Sequence, residues 1–133
     1  MEPLQLAQVA LDGLSVGDAF GQMFFAPQDE AMKMVSSRQL PSPPWYLTDD
    51  TIISIGVLET LQARSMIDQD FLAARFAENY TRNPRRGYGG MAHHILQALV
   101  RGDDWRDVAP SVFDGSGSFG NGAAMRASRL LFW

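Results

Sequence analysis

The chain has no cysteine. Disulfides, thiolate nucleophiles and Cys-ligated zinc are therefore excluded, and the sequence is compatible with a reducing cytoplasm. Excess positive charge is also missing: 11 Lys and Arg stand against 15 Asp and Glu, a net charge of −4. That balance argues against a general nucleic-acid binder. No apolar run approaches the roughly 20 residues that span a membrane, and the first residues lack the basic-then-apolar order of a signal peptide. A soluble, cytoplasmic protein without a nucleic-acid or membrane partner is expected. Strand-like alternation is absent too. Apolar residues recur at three and four rather than at two, so the expected fold class is all-α. With 133 residues and 46% hydrophobic content, the chain can bury one core and is expected to form one domain or part of one.

What is present is concentrated in a few segments. Thr48-Asp49-Asp50-Thr51 puts two carboxylates and two hydroxyls at the start of an apolar helical run over residues 52–61. Such hard oxygen donors suit Mg2+ or Mn2+, which commonly take one or two protein carboxylates and keep several waters. The same residues also read as a helix N-cap with acids in the first turn. Both readings stand at this level.

The periodicity predicts helices over residues 3–24, 49–65 and 68–81, then one closing near Gly102 and a short one opening at Asp103-Asp104-Trp105. Gly13, Gly17 and Gly21 recur every four residues along the first helix and bare its backbone on one face. A packed helix or a bound ligand is expected there. Asp18 lies in the same apolar stretch, where a carboxylate needs a charge, hydrogen-bond or metal partner. A Pro-rich loop over residues 38–47 delivers the chain to Thr48. His93 and His94 are neighbours on a helix, rotated by about 100°, and cannot easily grip one ion. They are expected to be a surface or partly packed pair. Arg85 and Arg86 read either as solvated charges or as partners for a phosphate.

The second strong segment is Asp114-Gly115-Ser116-Gly117-Ser118-Phe119-Gly120-Asn121-Gly122, followed by helical Ala123-Ala124-Met125-Arg126. Its glycines satisfy G-x-G-x-x-G, but the dinucleotide fingerprint needs a buried strand before it, and Pro110 breaks the approach. A Gly/Ser loop can nevertheless cradle an anion with successive free N–H groups.

Gly17-Asp18-Ala19-Phe20-Gly21, Thr48-Asp49-Asp50-Thr51, Arg86-Gly87-Tyr88-Gly89 and Gly117-Ser118-Phe119-Gly120-Asn121-Gly122-Ala123-Ala124-Met125-Arg126 occur in one order. In that order they resemble the N-terminal half of the ADP-ribosylglycohydrolases, the dinitrogenase-reductase-activating glycohydrolase-like family. The resemblance implies a compact, multi-helix orthogonal bundle, with residues 1–133 as the N-terminal portion of a single domain. It implies that Thr48, Asp49 and Asp50 ligate metal, with two Mg2+ ions in the complete family site, and that Asp49 and Asp50 are central to catalysis. Gly117, Ser118, Phe119, Gly120 and Asn121 would hold the ADP-ribose diphosphate and adjoining ribose, and Gly87, Tyr88 and Gly89 would border the same cleft. The implied reaction is Mg2+-dependent hydrolysis of the glycosidic bond between ADP-ribose and an acceptor.

The sequence departs from the family pattern in two places. Phe25 stands where many relatives carry a glutamate, with Asp29 and Glu30 the nearest acids downstream. No Asp-x-Asp-Thr segment follows residue 51 to complete the metal cluster, and the chain ends on apolar Leu130-Leu131-Phe132-Trp133. A truncated member is therefore expected, completed by a homo-oligomer or a complementing C-terminal segment. The alternative is an inactive module that binds ADP-ribose.

Overall fold

Local signals at the helix ends account for most of the architecture. The computed structural model describes residues 2–118 and 120–127, so Phe119 and the apolar end at 129–133 lie outside the described residues. Helix α1, Pro3–Gln22, opens with proline at its first position, where a missing N–H costs nothing, and the Glu2 amide donates to Gln5 Oε1 at 3.1 Å. Helix α3, Asp49–Arg64, starts at the Thr48 cap and stops where Ser65 turns left-handed. Helix α4, Gln69–Arg82, starts at Asp68, whose carboxylate accepts from the Phe71 amide at 3.0 Å. Helix α5, Gly90–Arg101, ends at Gly102 with φ +93°, a conformation that favours glycine. Asp104 caps α6, Trp105–Ser111, and a 3₁₀ turn, Val112–Gly115, leads through the Gly/Ser loop to α7, Gly122–Ala127.

These boundaries follow the sequence expectations to within two residues. One helix was not foreshadowed: α2, Gln28–Ser37, which buries no residue although Ala31, Met34 and Val35 recur at helical spacing. Among the described residues there is no strand, and no helix is long and apolar enough to cross a membrane.

Helix α3 is the central element. It packs against α1, α4 and α7, and Ile52, Ile53, Val57, Leu58 and Leu61 are all buried. One core cluster joins Ile52 and Ile53 to Tyr80, Tyr88 and Leu96; another joins Leu58 to Ala7 and Leu11. The close approach of helices occurs at Gly56, where a Cβ would lie 2.8 Å from Phe76 Cδ1. It does not occur along Gly13, Gly17 and Gly21. Among the described residues, a Cβ at any of those three would meet nothing within 4 Å, so of the two expected explanations, a packed helix or a bound ligand, no described helix supplies the first. Burying α3 on several sides holds its N-terminus, with both aspartates, in a fixed place.

Candidate active site

Asp18 organises the beginning of α3. Its Oδ2 accepts from the Thr48 amide at 2.8 Å and the Thr51 hydroxyl at 2.5 Å, and its Oδ1 accepts from the Thr48 hydroxyl at 2.5 Å. One carboxylate from α1 thus fixes a loop backbone and two side chains of α3. This satisfies the requirement that a part-buried acid find partners. The Thr48 hydroxyl also accepts from the Asp50 amide, at 3.3 Å. With its proton given to Asp18, it keeps one further lone pair for another ligand. The cap and the metal-donor readings of this segment are therefore compatible.

The loop around Gly87 closes on the same helix end. The Asp49 amide donates to the Arg86 carbonyl at 2.6 Å, and Gly87 takes φ +85° with its would-be Cβ 3.5 Å from Asp49 Oδ1. Arg86 is half-buried, its guanidinium lying 5.8 Å from the Tyr46 ring centroid and donating to the Leu47 carbonyl at 3.5 Å. It supports the loop rather than standing free in solvent. The loop divides its residues between two cavities. Gly87 and Gly89 border a cleft of about 650 Å3, together with Gly17, Asp18 and Gly21 of α1, Thr48, Asp49 and Asp50 of α3, and Asn121. Tyr88 instead lines an apolar pocket that Asp49 also borders.

The Gly/Ser loop contributes less to the cleft wall than its length suggests. Asn121 lines the cleft, whereas Gly117, Ser118 and Gly120 stand exposed. Its path is set by left-handed backbone at Phe113, Asp114, Gly115 and Gly117, and the Ser118 hydroxyl accepts from the Gly120 amide at 3.0 Å. Helix α6 precedes it, so the dinucleotide fingerprint is absent in structure as in sequence context. Leu14, Gln22 and Phe25 also line the cleft, although nothing in the sequence pattern pointed to Leu14 or Gln22. Phe25 is 87% exposed, and Asp29 and Glu30 sit in the first turn of α2. His93 is partly packed as expected: its Nδ1 shares a 2.8 Å hydrogen bond with the Tyr80 hydroxyl, while His94 is exposed.

A sequence model of the ADP-ribosylglycohydrolase family matches residues 2–133. The chain belongs to the ADP-ribosylglycohydrolase family. It is 32% identical to the mouse (Mus musculus) ADP-ribosylhydrolase ARH3 over 135 residues, covering 90% of this chain and 36% of that protein. Identity to the human (Homo sapiens) ADP-ribosylhydrolase ARH3 is 38% over 88 residues, 64% of this chain and 24% of that one. For the zebrafish (Danio rerio) ADP-ribosylhydrolase ARH3 it is 34% over 128 residues, 89% of this chain and 34% of that one. The chain thus spans about a third of the length of the mouse and zebrafish relatives.

Burial and mutual repulsion both act on the acids of this cleft. Burial raises the pKa of Asp49; its own backbone N–H opposes this, the charge on Asp18 adds to the rise, and His93 offsets part of it. Burial likewise raises Asp50, with the Asp49 and Asp18 charges acting in the same direction. Three carboxylates repelling one another in partial burial are relieved by a divalent ion. Thr48, Asp49 and Asp50 supply oxygen donors of the type Mg2+ takes, with water filling the remaining positions. The set is partial. Asp18 spends both oxygens on Thr48 and Thr51, and among the described residues no three His, Cys, Asp or Glu side chains gather as a metal cage.

Proposed function

We propose that the cleft binds Mg2+ and ADP-ribose, and that it belongs to a hydrolase that cleaves the glycosidic bond between ADP-ribose and its acceptor. One observation carries this reading. Segments from residue 17 to residue 121, far apart in sequence, converge on a single cleft whose walls combine paired carboxylates with bare glycine backbone.

Each part has a role. Among the described residues, Gly17 and Gly21 leave space along α1 that no side chain occupies, Gly89 does the same across the cleft, and Gly87 brings its backbone against Asp49. Asn121 offers an amide to ribose or diphosphate oxygens. Asp49 and Asp50, with the Thr48 hydroxyl, are the residues that would hold Mg2+, which supplies charge stabilisation and polarises a water or a ribose oxygen when bound. The carboxylates also favour the positive charge that develops on the anomeric carbon as the glycosidic bond breaks. Asp18 is a positioning residue: by taking the Thr48 proton it turns that hydroxyl's lone pair away from α1. Residues 1–133 form, on this reading, a portion of one glycohydrolase domain.

The test is release of ADP-ribose from an ADP-ribosylated substrate in the presence of Mg2+. Asp49→Ala and Asp50→Ala should each abolish release while leaving helical circular dichroism intact; undiminished release in the double variant would remove these acids from the mechanism. A second reading, an ADP-ribose-binding half-site completed by another segment, is favoured by the partial donor set among the described residues. Under that reading ADP-ribose binds without turnover, and activity returns on adding the remainder of a family member.

A further inference from the structure

Among the described residues that line the Asp49 cleft, Phe25 is the one large apolar side chain standing in solvent. A lone exposed phenylalanine is ordinary on a protein surface. Its place is not ordinary. Leu14, Gly17, Asp18, Gly21, Gln22 and Phe25 recur at three and four, so they form one stripe along α1 that continues past its C-terminal end into the cleft wall. The turn that carries Phe25 is held from elsewhere: the Phe24 amide donates to the Gly21 carbonyl at 3.0 Å and the Phe25 amide to the Gln22 carbonyl at 3.1 Å. The Phe24 ring meets Phe20 edge-to-face at 5.1 Å, and Phe20 meets Trp45 at 5.2 Å. Phe24 anchors the turn, and the Phe25 ring is left at the cleft.

The charge of the cleft limits what can sit against that ring. Asp18, Asp49 and Asp50 all line it, and among the described lining residues there is no Lys, Arg or His. Arg86 is turned to the Tyr46 ring and the Leu47 carbonyl. Three carboxylates with one Mg2+ leave a negative charge over, and the face of an aromatic ring attracts cations. Carboxylates and ring therefore favour the same occupant, a flat cation. Proton supply points the same way. With Asp49 and Asp50 given to Mg2+ and Asp18 to Thr48 and Thr51, no described side chain of the wall remains to protonate a departing group. A cationic ring needs no proton to depart.

Resting on the reading of this cleft as an ADP-ribose site, we propose that Phe25 is a specificity-determining residue that stacks on a cationic nitrogen heteroaromatic ring joined to the anomeric carbon. The substrate class is then a pyridinium-type N-glycoside of ADP-ribose. In its hydrolysis the carbon–nitrogen bond breaks with its electron pair passing to the ring nitrogen, so the ring leaves neutral. A water oxygen bonds to the anomeric carbon, and that water gives one proton to solvent.

The experiment is calorimetric titration of the full chain in Mg2+ with three probes that share the ADP-ribose unit. ADP-ribose lacks the ring, NAD+ carries it as a pyridinium, and NADH carries it uncharged and no longer aromatic. NAD+ should bind roughly fivefold more tightly than either of the others, the effect of one cation over one aromatic face. Phe25→Ala should bring NAD+ to the affinity of ADP-ribose, and Phe25→Trp should keep or enlarge the preference. Because Phe25 is 87% exposed, both variants should fold with unchanged helical circular dichroism. Equal binding of NAD+ and ADP-ribose, NADH matching NAD+, or a preference that survives Phe25→Ala would overturn the inference and leave the ADP-ribose cleft standing. Binding of none of the three would overturn both.

Discussion

Removing the Asp18 carboxylate should damage both stability and metal binding, and two substitutions separate the effects. Asp18 accepts three hydrogen bonds at 2.5–2.8 Å, all from the start of α3. Hydrogen bonds to a charged acceptor contribute about 1.5–3 kcal/mol each when measured singly. These three share two oxygens in a half-buried setting, and loss of the charge relieves repulsion on Asp49 and Asp50, so the sum is well below simple addition. Asp18→Ala should cost about 3–5 kcal/mol, partly because Thr51, 1% exposed, is left with a buried hydroxyl to satisfy. For a chain of this size that lowers Tm by about 10–15 °C. Asp18→Asn is milder. Its amide oxygen can keep the Thr48 amide and the Thr51 hydroxyl, costing about 1–2 kcal/mol for the bond it loses. Its NH2 group, however, faces Thr48 Oγ1 and donates into the lone pair that the proposed function assigns to metal. Mg2+ affinity should fall by about 10–100-fold, the usual effect of losing a residue that orients a metal ligand. Urea denaturation and Mg2+ titration of both variants check these values. A stability loss under 1 kcal/mol for Asp18→Ala, or unchanged Mg2+ binding in Asp18→Asn, would refute the reasoning.

Three further outcomes follow from the same geometry. Because burial and neighbouring charges raise the pKa of Asp50, the metal-free folded chain holds its proton more tightly than the unfolded chain does, and stability is lost as pH rises above the ordinary carboxylate value of 3.8. Asp50→Asn should therefore be more stable than the wild type at pH 7 in chelator and flatter with pH, yet lose its Mg2+-dependent gain; denaturation across pH 4–7 measures both. Gly87→Ala places a side chain at φ +85° and 3.5 Å from Asp49 Oδ1, so it should lose about 1–2 kcal/mol and weaken ADP-ribose binding. Gly13→Ala, in open helix surface, should gain up to about 1 kcal/mol, whereas Gly21→Leu should keep the fold and block ADP-ribose in the cleft. Thermal denaturation with and without ADP-ribose distinguishes the two.

The parts of the fold that were legible are those where local chemistry and burial agree. Thr48 is an N-cap residue type followed by two acids and a continuous apolar run, and α3 begins there because cap, dipole and core burial all select the same start. Asp18 announced itself as an acid in an apolar stretch, but its partners, 30 and 33 positions away, could be found only in three dimensions. Helix α2 was missed although Ala31, Met34 and Val35 recur at helical spacing; the signal is short, and the helix buries no residue. The glycines of α1 left two explanations open, a packed helix or a bound ligand. Their spacing marks a bare face, and among the described residues Gly17 and Gly21 border a cleft rather than a neighbouring helix, while a tight helix contact uses Gly56, a lone glycine without a repeat. The Gly/Ser loop stood out for its composition, yet it places only Asn121 in the cleft wall among its described residues, since the left-handed turns at Phe113, Asp114, Gly115 and Gly117 set its path.

Calorimetric titration of the purified chain with ADP-ribose, in Mg2+ and in chelator, tests the central claim most directly. Saturable binding that requires Mg2+ and disappears in Asp49→Ala is the predicted result. A folded chain that binds ADP-ribose equally well in chelator and in Asp49→Ala, or not at all in either condition, would contradict the assignment of this cleft as a metal-linked ADP-ribose site.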